Sequence, residues 1–258
     1  MFPEKSPLSV AIIAKNEEKN LPECLGSVSF ADDIVVVDSG STDRTVEIAE
    51  KFGCRVFVEE WKGYGPQKNS AVKKCKHDWV LLLDADERVP DETQELIKKV
   101  LRRPAADAYS LRRKNYFHGK WIKHSGNWPD RNIRLVNKTK GLFQSVIHEK
   151  WVTDGRLQDL DAYLLHYSFS NYSDLLKTLN NYATITAGEL FASGGRANLL
   201  SPLYHGTGMF FKIYFLKMGF LDGMDGLVTA ITKAGGSFFK YAKLLELQRE
   251  EKNKESGG

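Results

Sequence analysis

Short, wholly apolar segments alternate with helical segments through residues 8–90. Three of them read LSVAIIA (8–14), DIVVVD (33–38) and WVLLLD (79–84), and CRVFVE lies between the last two. Strands without a polar face are typical of a parallel sheet that helices cover on both sides. We therefore predict an α/β fold whose first half is a parallel sheet flanked by helices.

The helices between these strands have recognisable ends. Asn20 is a candidate N-cap of the first helix, with Pro22 in its first turn. Residues 41–43 are cap-type residues for the second helix, which we expect to end at Gly53. Pro66 is expected to open the third helix.

The pattern changes after a helix opened by Pro90. DAYSLRR, RNIRLVN, SVIHEKWV and AYLLHYS indicate shorter strands with more polar and aromatic residues, which we expect to form a mixed or antiparallel sheet. From Asn171 onward the sequence is largely helical, and Ser173 is a candidate cap. The segment after residue 247, REEKNKESGG, has little apolar content, so we expect a disordered tail.

Composition and cysteine content indicate the cellular compartment of the protein, but they say little about its function. With 42% hydrophobic residues the chain can bury a substantial core, and a net charge of +4 suits anionic ligands and anionic membranes equally. Cys24, Cys54 and Cys75 fit neither a disulfide framework nor a zinc site. The N-terminal residues lack a secretory signal pattern, and no run of 18 apolar residues occurs. We expect free thiols in a cytoplasmic protein.

Three aspartates stand at the ends of predicted parallel strands, where ligands of such sheets bind. Asp84 and Asp86 are two positions apart, so on extended chain they would point the same way and could share Mg²⁺. A strand exit with capping duties is the alternative. Asp38 precedes a Ser-Gly-Ser-Thr turn and could accept hydrogen bonds from a base or ribose, or serve a helix cap. No G-x-G-x-x-G or Walker sequence is present.

Four ordered segments carry a specific resemblance: SVAIIAKNEEKNL, DDIVVVDSGSTDRT, GYGPQKNSA and VLLLDADERV. Together they resemble the nucleotide-sugar half of an inverting family 2 glycosyltransferase of the GT-A fold. The resemblance implies that Asp38 contacts the nucleoside and that the D-x-D motif holds Mg²⁺ or Mn²⁺ on the diphosphate. The implied nucleotide-sugar site comprises Lys15, Asn16, Glu17, Asp38, Asp84 and Asp86.

The predicted domain organisation follows from this resemblance. Residues 1–170 would form the GT-A domain, with a nucleotide-sugar half over 8–90 and an acceptor half over 91–170. A helical region would follow over 171–247, and the tail over 248–258. The acceptor half must supply a base for the incoming hydroxyl.

Family 2 enzymes often place an acidic residue after the acceptor-binding strands, and here the comparable place holds His148-Glu149. Glu149 is our candidate base and Asp130 the main alternative; His148 could equally be a packed strand histidine. GT-A enzymes commonly place a late histidine on the metal, which makes His166 a candidate metal ligand or a structural residue. Lys68 is a candidate phosphate contact or a solvated surface lysine.

Two arginines and one apolar segment extend these hypotheses to the diphosphate and the acceptor. Arg131 and Arg134 could meet the diphosphate or an anionic acceptor. MFFKIYFLKMGFL (209–221) is too short to span a bilayer, and residues 199–243 contain five lysines and two aspartates, a local charge of +3. A membrane-surface helix that favours anionic lipid and a core helix are both compatible with this pattern.

HYSFSNYSDLLKTLNNYA and YFLKMGFLDGMDG are similar to the bacterial lipopolysaccharide core β-1,4-glucosyltransferase family. This resemblance implies a UDP-glucose donor, a lipid-linked heptose acceptor in the inner core, and a peripheral position on the cytoplasmic face of the inner membrane. Capsule, lipid-carrier or peptide acceptors stay open. A nucleotidyltransferase would show a Gly-rich, Arg-bearing first loop in place of AKNEEKN, and a non-catalytic sugar-binding module is the third alternative. We expect no nucleic-acid partner.

Overall fold

A mixed β-sheet with helices on both faces forms the first part of the protein. The computed structural model describes residues 6–144, 150–169 and 171–256. The strands are β1 (Leu8–Ala14), β2 (Asp33–Asp38), β3 (Arg55–Val58), β4 (Trp79–Asp84), β5 (Glu87–Arg88), β6 (Ala108–Phe117), β7 (Lys120–Trp121), β8 (Asp130–Asn137), β9 (Gly141–Gln144), β10 (Lys150–Thr153) and β11 (Leu157–Phe169). The α-helices are α1 (Leu21–Gly26), α2 (Thr45–Lys51), α3 (Tyr64–Lys74), α4 (Asp91–Arg102), α5 (Tyr172–Ala192), α6 (Ser201–Phe211) and α7 (Met224–Ser256).

The predicted parallel strands are adjacent in the order β3-β2-β1-β4. Ala14 at the end of β1 pairs with Asp38 of β2, and Ile13 pairs with Asp84 of β4. Asp38 and Asp84 therefore end on either side of β1, at the same edge of the sheet. This confirms the α/β class predicted from the apolar runs.

Alternate residues of these strands enter two separate cores, which is why the strands lack a polar face. Val10 and Ile12 pack in one core with helices α1, α2 and α4, while Ala11 packs in the other with helix α3. Both cores are apolar, so each face of the parallel sheet is covered, as the sequence predicts.

The second half of the sheet is antiparallel and continues from β4 in the order β8-β6-β11-β5. Leu81 of β4 pairs with Leu135 of β8, and His166 of β11 pairs with Glu87 of β5. The predicted mixed sheet therefore joins the parallel strands directly. Strands β9 and β10 form a separate two-stranded sheet.

Helix starts are the elements that the sequence predicted least well. Helix α2 begins at Thr45, whose amide donates a hydrogen bond of 3.0 Å to Asp43 Oδ1. Ser41 instead accepts a hydrogen bond from the Asn16 amide, in the loop that follows β1. Helix α3 begins at Tyr64, two residues before Pro66. The cap of α5 is Asn171, whose side chain accepts a hydrogen bond of 2.9 Å from the Asp174 amide.

The chain divides into two compact units. One contains the described residues of Met1–Lys114 and Pro129–Tyr167, and the other Asn115–Trp128 with Ser168–Gly258. The segment 115–128 belongs to the helical unit because buried Asp222 accepts hydrogen bonds from the amides of Lys123 (3.3 Å) and His124 (2.8 Å).

The predicted disordered tail from residue 248 is instead helical as far as Ser256, within α7. Gln248 accepts a hydrogen bond of 2.7 Å from the Ala197 amide, and Arg196 lies 3.0 Å from Glu251. These contacts hold the polar end of α7 against the segment between α5 and α6, which composition alone does not reveal.

The structure also bears on the cysteines and on the possibility of a membrane-spanning helix. Cys24, Cys54 and Cys75 are free thiols; burial raises the pKa of Cys54 to about 11 and of Cys75 to about 12. In the part of the chain that the structure describes, none of the helices combines the length and apolar character needed to cross a membrane.

Candidate active site

Two loops after β1 and β2 bind each other at the carboxyl edge of the parallel strands. Asn16 has a φ of 56°, a left-handed conformation that asparagine adopts more readily than most residues. Its amide donates to Ser41 Oγ at 2.8 Å, and its side-chain oxygen accepts from the Thr42 amide at 2.8 Å. Lys15 beside it is exposed. The K-N-E segment and the S-G-S-T turn therefore form one continuous rim.

Asp38 organises the turn that follows β2. Its Oδ1 accepts hydrogen bonds from the amides of Gly40 (2.9 Å) and Ser41 (2.8 Å), and its Oδ2 accepts from the Ser41 hydroxyl. Gly40 has a φ of 81°, a backbone conformation that would be strained in a residue with a side chain. The carboxylate, 1% exposed, thus fixes the rim and does not cap helix α2.

Glu17 lies between this rim and the D-x-D segment. Its amide donates to Thr45 Oγ1 at 2.8 Å, and its carboxylate accepts from Asn20 Nδ2 at 2.8 Å. Burial, helped by the nearby charge of Asp86, raises the pKa of Glu17 above its ordinary value despite the hydrogen bond from Asn20. The predicted rim residue is therefore electrostatically coupled to the predicted metal ligand.

Asp84 forms ion pairs with two buried cations. Lys68 Nζ on helix α3 lies 3.0 Å from Asp84 Oδ1, and Arg134 Nη2 on β8 lies 2.8 Å from Asp84 Oδ2. Burial acts to raise the pKa of Asp84, but Lys68 and Arg134 hold it well below its ordinary value. Lys68 is 8% exposed, so it is not the solvated surface lysine that was one of the alternatives.

Glu87 is a residue of this network that the sequence reasoning missed. It is fully buried, lies 2.5 Å from Arg134 Nη2, and accepts a hydrogen bond of 3.0 Å from the Asp84 amide. Burial raises its pKa, Arg134 opposes that rise, and the charge of Asp84 adds to it. The signal that could have found it is the third carboxylate of the sequence DADE, directly after an apolar strand.

Asp86 lies in a turn and has different partners from Asp84. The extended chain of β4 ends at Asp84, so the alternation expected to align the two aspartates stops there. His166 Nε2 of β11 lies 3.3 Å from Asp86 Oδ2, and the Tyr167 amide donates to the Asp86 backbone oxygen at 3.0 Å. The structure thus brings Asp86 together with His166, the histidine named as a further candidate ligand.

The donor atoms at Asp86 and His166 fit a divalent cation that substrate helps to bind. Among residues 6–144, 150–169 and 171–256, no group of three or more His, Cys, Asp or Glu side chains is arranged to hold a metal alone. Mg²⁺ commonly takes one or two carboxylates together with substrate phosphates and water. The Asp86 carboxylate satisfies that requirement, and the imidazole nitrogen of His166 lies beside it.

Of the two candidate bases, the structure describes Asp130 but not Glu149. Asp130, at the start of β8, lies 2.7 Å from Arg113 Nη2 and accepts a hydrogen bond of 3.0 Å from Asn132. Glu149 and His148 lie outside the described residues. The choice between Glu149 and Asp130 therefore stays a prediction.

Comparison with known proteins decides the family. The model of "Glycosyl transferase family 2" matches residues 9–154, more than half of the chain. The chain belongs to glycosyl transferase family 2. The matched segment of this family 2 glycosyltransferase contains Asp38, Asp84 and Asp86.

Relatives of this family 2 glycosyltransferase extend over almost its whole length. An uncharacterized glycosyltransferase of Rickettsia typhi is 32% identical over 95% of this chain and 89% of its own. The lipopolysaccharide core biosynthesis glycosyltransferase LpsC of Rhizobium meliloti is 30% identical over 94% of this chain and 93% of its own. A crystallised fragment of S. aureus TarS with UDP-GlcNAc is 18% identical, covers 95% of this chain and 92% of its own, and has a TM-score of 0.48.

Proposed function

We propose that the protein is a metal-dependent inverting glycosyltransferase that moves glucose from UDP-glucose onto a hydroxyl of a lipid-linked saccharide such as the lipopolysaccharide inner core. The observation that carries the proposal is the placement of Asp38 and Asp84 on either side of β1, with buried Lys68 on Asp84. Family membership supports sugar transfer, and the similarity to LpsC supports the acceptor class.

The rim residues would hold the nucleoside. Asp38 fixes the S-G-S-T turn, and Asn16 joins that turn to the K-N-E segment, so the backbone around the pocket is set before the donor arrives. Such preorganisation lowers the cost of ordering on binding. Lys15 and Glu17 would border the same pocket from the end of β1.

The diphosphate would lie beside Asp84, because a leaving diphosphate gains negative charge as the glycosidic bond breaks and needs cations near it. Lys68 and Arg134 supply two positive charges, and Asp84 and Glu87 balance them in the structure. Arg134 Nε is buried and finds no hydrogen-bond partner within the described part of the chain. Its N–H is a donor for a phosphate oxygen.

Asp86 and His166 would hold Mg²⁺ or Mn²⁺, with Asp84 as a possible third ligand. When bound, the cation supplies further positive charge for the leaving diphosphate. The low pKa of Asp84 keeps its carboxylate ionised at neutral pH for either role.

The acceptor hydroxyl needs a base positioned on the acceptor side of the donor. Both oxygens of Asp130 are engaged, by Arg113 and by Asn132, and an arginine partner lowers the basicity of a carboxylate. We therefore favour Glu149 as the base. Direct displacement by the activated hydroxyl would convert an α-linked donor into a β-linked product.

The test is an assay of the purified protein with a panel of nucleotide sugars, Mg²⁺ or Mn²⁺, and truncated lipopolysaccharide. With UDP-glucose as donor, we expect release of UDP and an increase in acceptor mass by one hexose. EDTA should abolish both signals. Transfer only to a capsule precursor, lipid carrier or peptide would reassign the acceptor. Conversion of UDP-glucose and added pyrophosphate into UTP and glucose 1-phosphate would indicate a nucleotidyltransferase. Donor binding without turnover would indicate a non-catalytic module.

A lipid-linked acceptor has a consequence for location. Its saccharide stays at the membrane surface, so the protein would work there from the cytoplasmic side, as a peripheral protein.

A further inference from the structure

Helix α6 packs against α7 along one side only. Pro202, Gly206 and Ile213 are the buried residues of that side. At Gly206 the helices approach so closely that an added Cβ would lie 3.1 Å from Phe238 Cβ. The ring of His205 also stacks on that of Tyr241 in α7, with centroids 3.8 Å apart.

The opposite side of α6 is apolar and exposed. Leu203, Tyr204 and Phe211 are 56%, 77% and 63% exposed. Phe211 follows the adjacent pair Leu203 and Tyr204 by about two helical turns, which keeps the three on one side of the helix. Single exposed apolar residues are ordinary, but a stripe of them along a helix is not.

The exposed apolar surface continues past the end of the helix. The π-helical turn Lys212–Leu216 follows α6, and the ring of Phe215 contacts that of Phe211, with centroids 5.2 Å apart. Leu216, Leu221 and Met224 are 78%, 55% and 68% exposed. We name this surface the α6 apolar face and define it by Leu203, Tyr204, Phe211, Leu216, Leu221 and Met224.

Two exposed lysines border the α6 apolar face, and the side chain of Asp225, next to Met224, is 19% exposed and lies 3.9 Å from Lys120 Nζ. Lys212 and Lys217 are exposed, whereas Asp222, the acidic residue of segment 199–224, is 3% exposed and bonded to His124. The segment thus presents cations and apolar groups to solvent, with no exposed carboxylate.

We propose that the α6 apolar face docks onto the surface of an anionic lipid bilayer, with α6 lying in the plane of the interface. Apolar side chains would enter the headgroup boundary while Lys212 and Lys217 extend toward anionic headgroups. Residues 201–216 would span about 24 Å as a helix, less than the hydrocarbon thickness of about 30 Å. The face therefore suits lying on a membrane. The inference rests on the proposed function, because docking brings the enzyme to a lipid-linked acceptor.

The experiment is vesicle flotation with the full chain. Vesicles of phosphatidylcholine alone and of phosphatidylcholine with phosphatidylglycerol are compared at low and high salt. We expect flotation with the anionic vesicles, weakened by salt, since the attraction of lysines to anionic lipid is screened. The partition coefficient of the variant Leu203→Ser/Phe211→Ser/Leu216→Ser onto anionic vesicles should be lower than that of the wild type by a factor of about ten or more.

Matched variants separate docking from general loss of apolar surface. Phe52→Ser/Val58→Ser/Leu142→Ser changes three apolar residues of the other unit that are 49%, 65% and 52% exposed, and it should float like the wild type. Lys212→Glu/Lys217→Glu should remove the preference for anionic vesicles. All variants change exposed side chains, and unchanged thermal melting verifies their folding.

Three results would overturn the proposal. The first is equal flotation of the triple α6 variant and the wild type, and the second is an equal loss of flotation in the triple α6 variant and the matched variant of the other unit. The third is a concentration-dependent dimer of the wild type that the triple α6 substitution dissociates. That dimer would assign the face to a second copy of the chain. A deacylated, water-soluble acceptor separates this proposal from the proposed function: the triple α6 variant should turn it over at the wild-type rate. If the wild type turns over neither acceptor, the proposed function fails while the flotation result stands.

Discussion

The guanidinium of Arg134 lies 2.8 Å from the carboxylate of Asp84, and this ion pair links the antiparallel half of the sheet to the parallel half. The same Nη2 atom lies 2.5 Å from Glu87 Oε1. Arg134 sits on β8, which pairs directly with β4. The position of the Asp84 side chain therefore depends on a strand about fifty residues further along the chain.

Replacing Arg134 should destabilise the fold. Arg134→Ala leaves two carboxylates, Asp84 and Glu87, without their shared cation, which typically costs roughly 3–5 kcal/mol when one partner of a buried pair is removed. Urea denaturation measures the free energy of unfolding. Arg131→Ala is the control, since Arg131 lies 3.6 Å from Asp159 at an exposed site and should change the free energy by about 1 kcal/mol or less. Equal effects of the two variants would contradict the network.

Asp86 and His166 should control the requirement for a metal ion. Asp86→Asn should lower the rate of UDP release about 100-fold or more, because the cation that stabilises the leaving diphosphate is held less well. His166→Ala should shift the Mn²⁺ titration of activity to higher concentration. Asp161→Asn is the matched control, since Asp161 is another aspartate of this unit with a 91% exposed side chain. An unchanged Mn²⁺ titration in both Asp86→Asn and His166→Ala would remove the metal assignment.

The base assignment predicts an asymmetry between two carboxylates. Glu149→Gln should lower turnover by about 10²- to 10⁴-fold with little change in donor KM, as expected when a general base is lost. Asp130→Asn should have a smaller effect, through its contact with Arg113. Steady-state kinetics with saturating donor measure both. Full turnover in Glu149→Gln together with loss in Asp130→Asn would move the base to Asp130.

Asp33 should make stability depend on pH well away from the site. Burial acts to raise its pKa, but two hydrogen bonds from Arg55, at 2.8 and 2.9 Å, lead the contacts that hold it at about 2. The Lys76 amide and the Ser9 hydroxyl add to that effect. Because the folded pKa is depressed, the stabilisation is complete above pH of about 4 and is lost as pH falls toward 2, a contribution of about 2 kcal/mol.

Urea denaturation at several pH values tests this contribution. The wild type should exceed Asp33→Asn in free energy of unfolding at pH 6, and the difference should shrink between pH 4 and 2. A difference that is independent of pH over that range would show that the Asp33 charge does not contribute.

The sequence was sufficient for the parallel strands β1 to β4 and for the carboxylates at the ends of β2 and β4. Runs such as VLLLD are buried on both faces, so their composition reports the parallel sheet directly, and the end of each run places Asp38 or Asp84 at its edge. Lys68, Glu87 and Arg134 form a network that composition does not report, because it depends on how α3 and β8 pack against β4. Those are contacts between residues 16 to 50 positions apart.

The helical unit shows the same limit. The sequence marked 209–221 as unusually apolar, but whether those residues pack or face solvent depends on the contact between α6 and α7 at Gly206. Segment 115–128 lies with the C-terminal helices through contacts far away in sequence, such as those of His124 with buried Asp222 and of Ser125 with Lys217 and Lys233. Local pattern cannot predict such pairings.

The most direct test of the central claim is the anomeric configuration of the product made from UDP-glucose with Mg²⁺ and truncated lipopolysaccharide, read by the one-bond and vicinal couplings of the transferred glucose in NMR. Inverting, metal-dependent transfer predicts a β-linked glucose whose formation EDTA abolishes and added Mg²⁺ or Mn²⁺ restores. An α-linked product, or full transfer in the presence of EDTA, would contradict it.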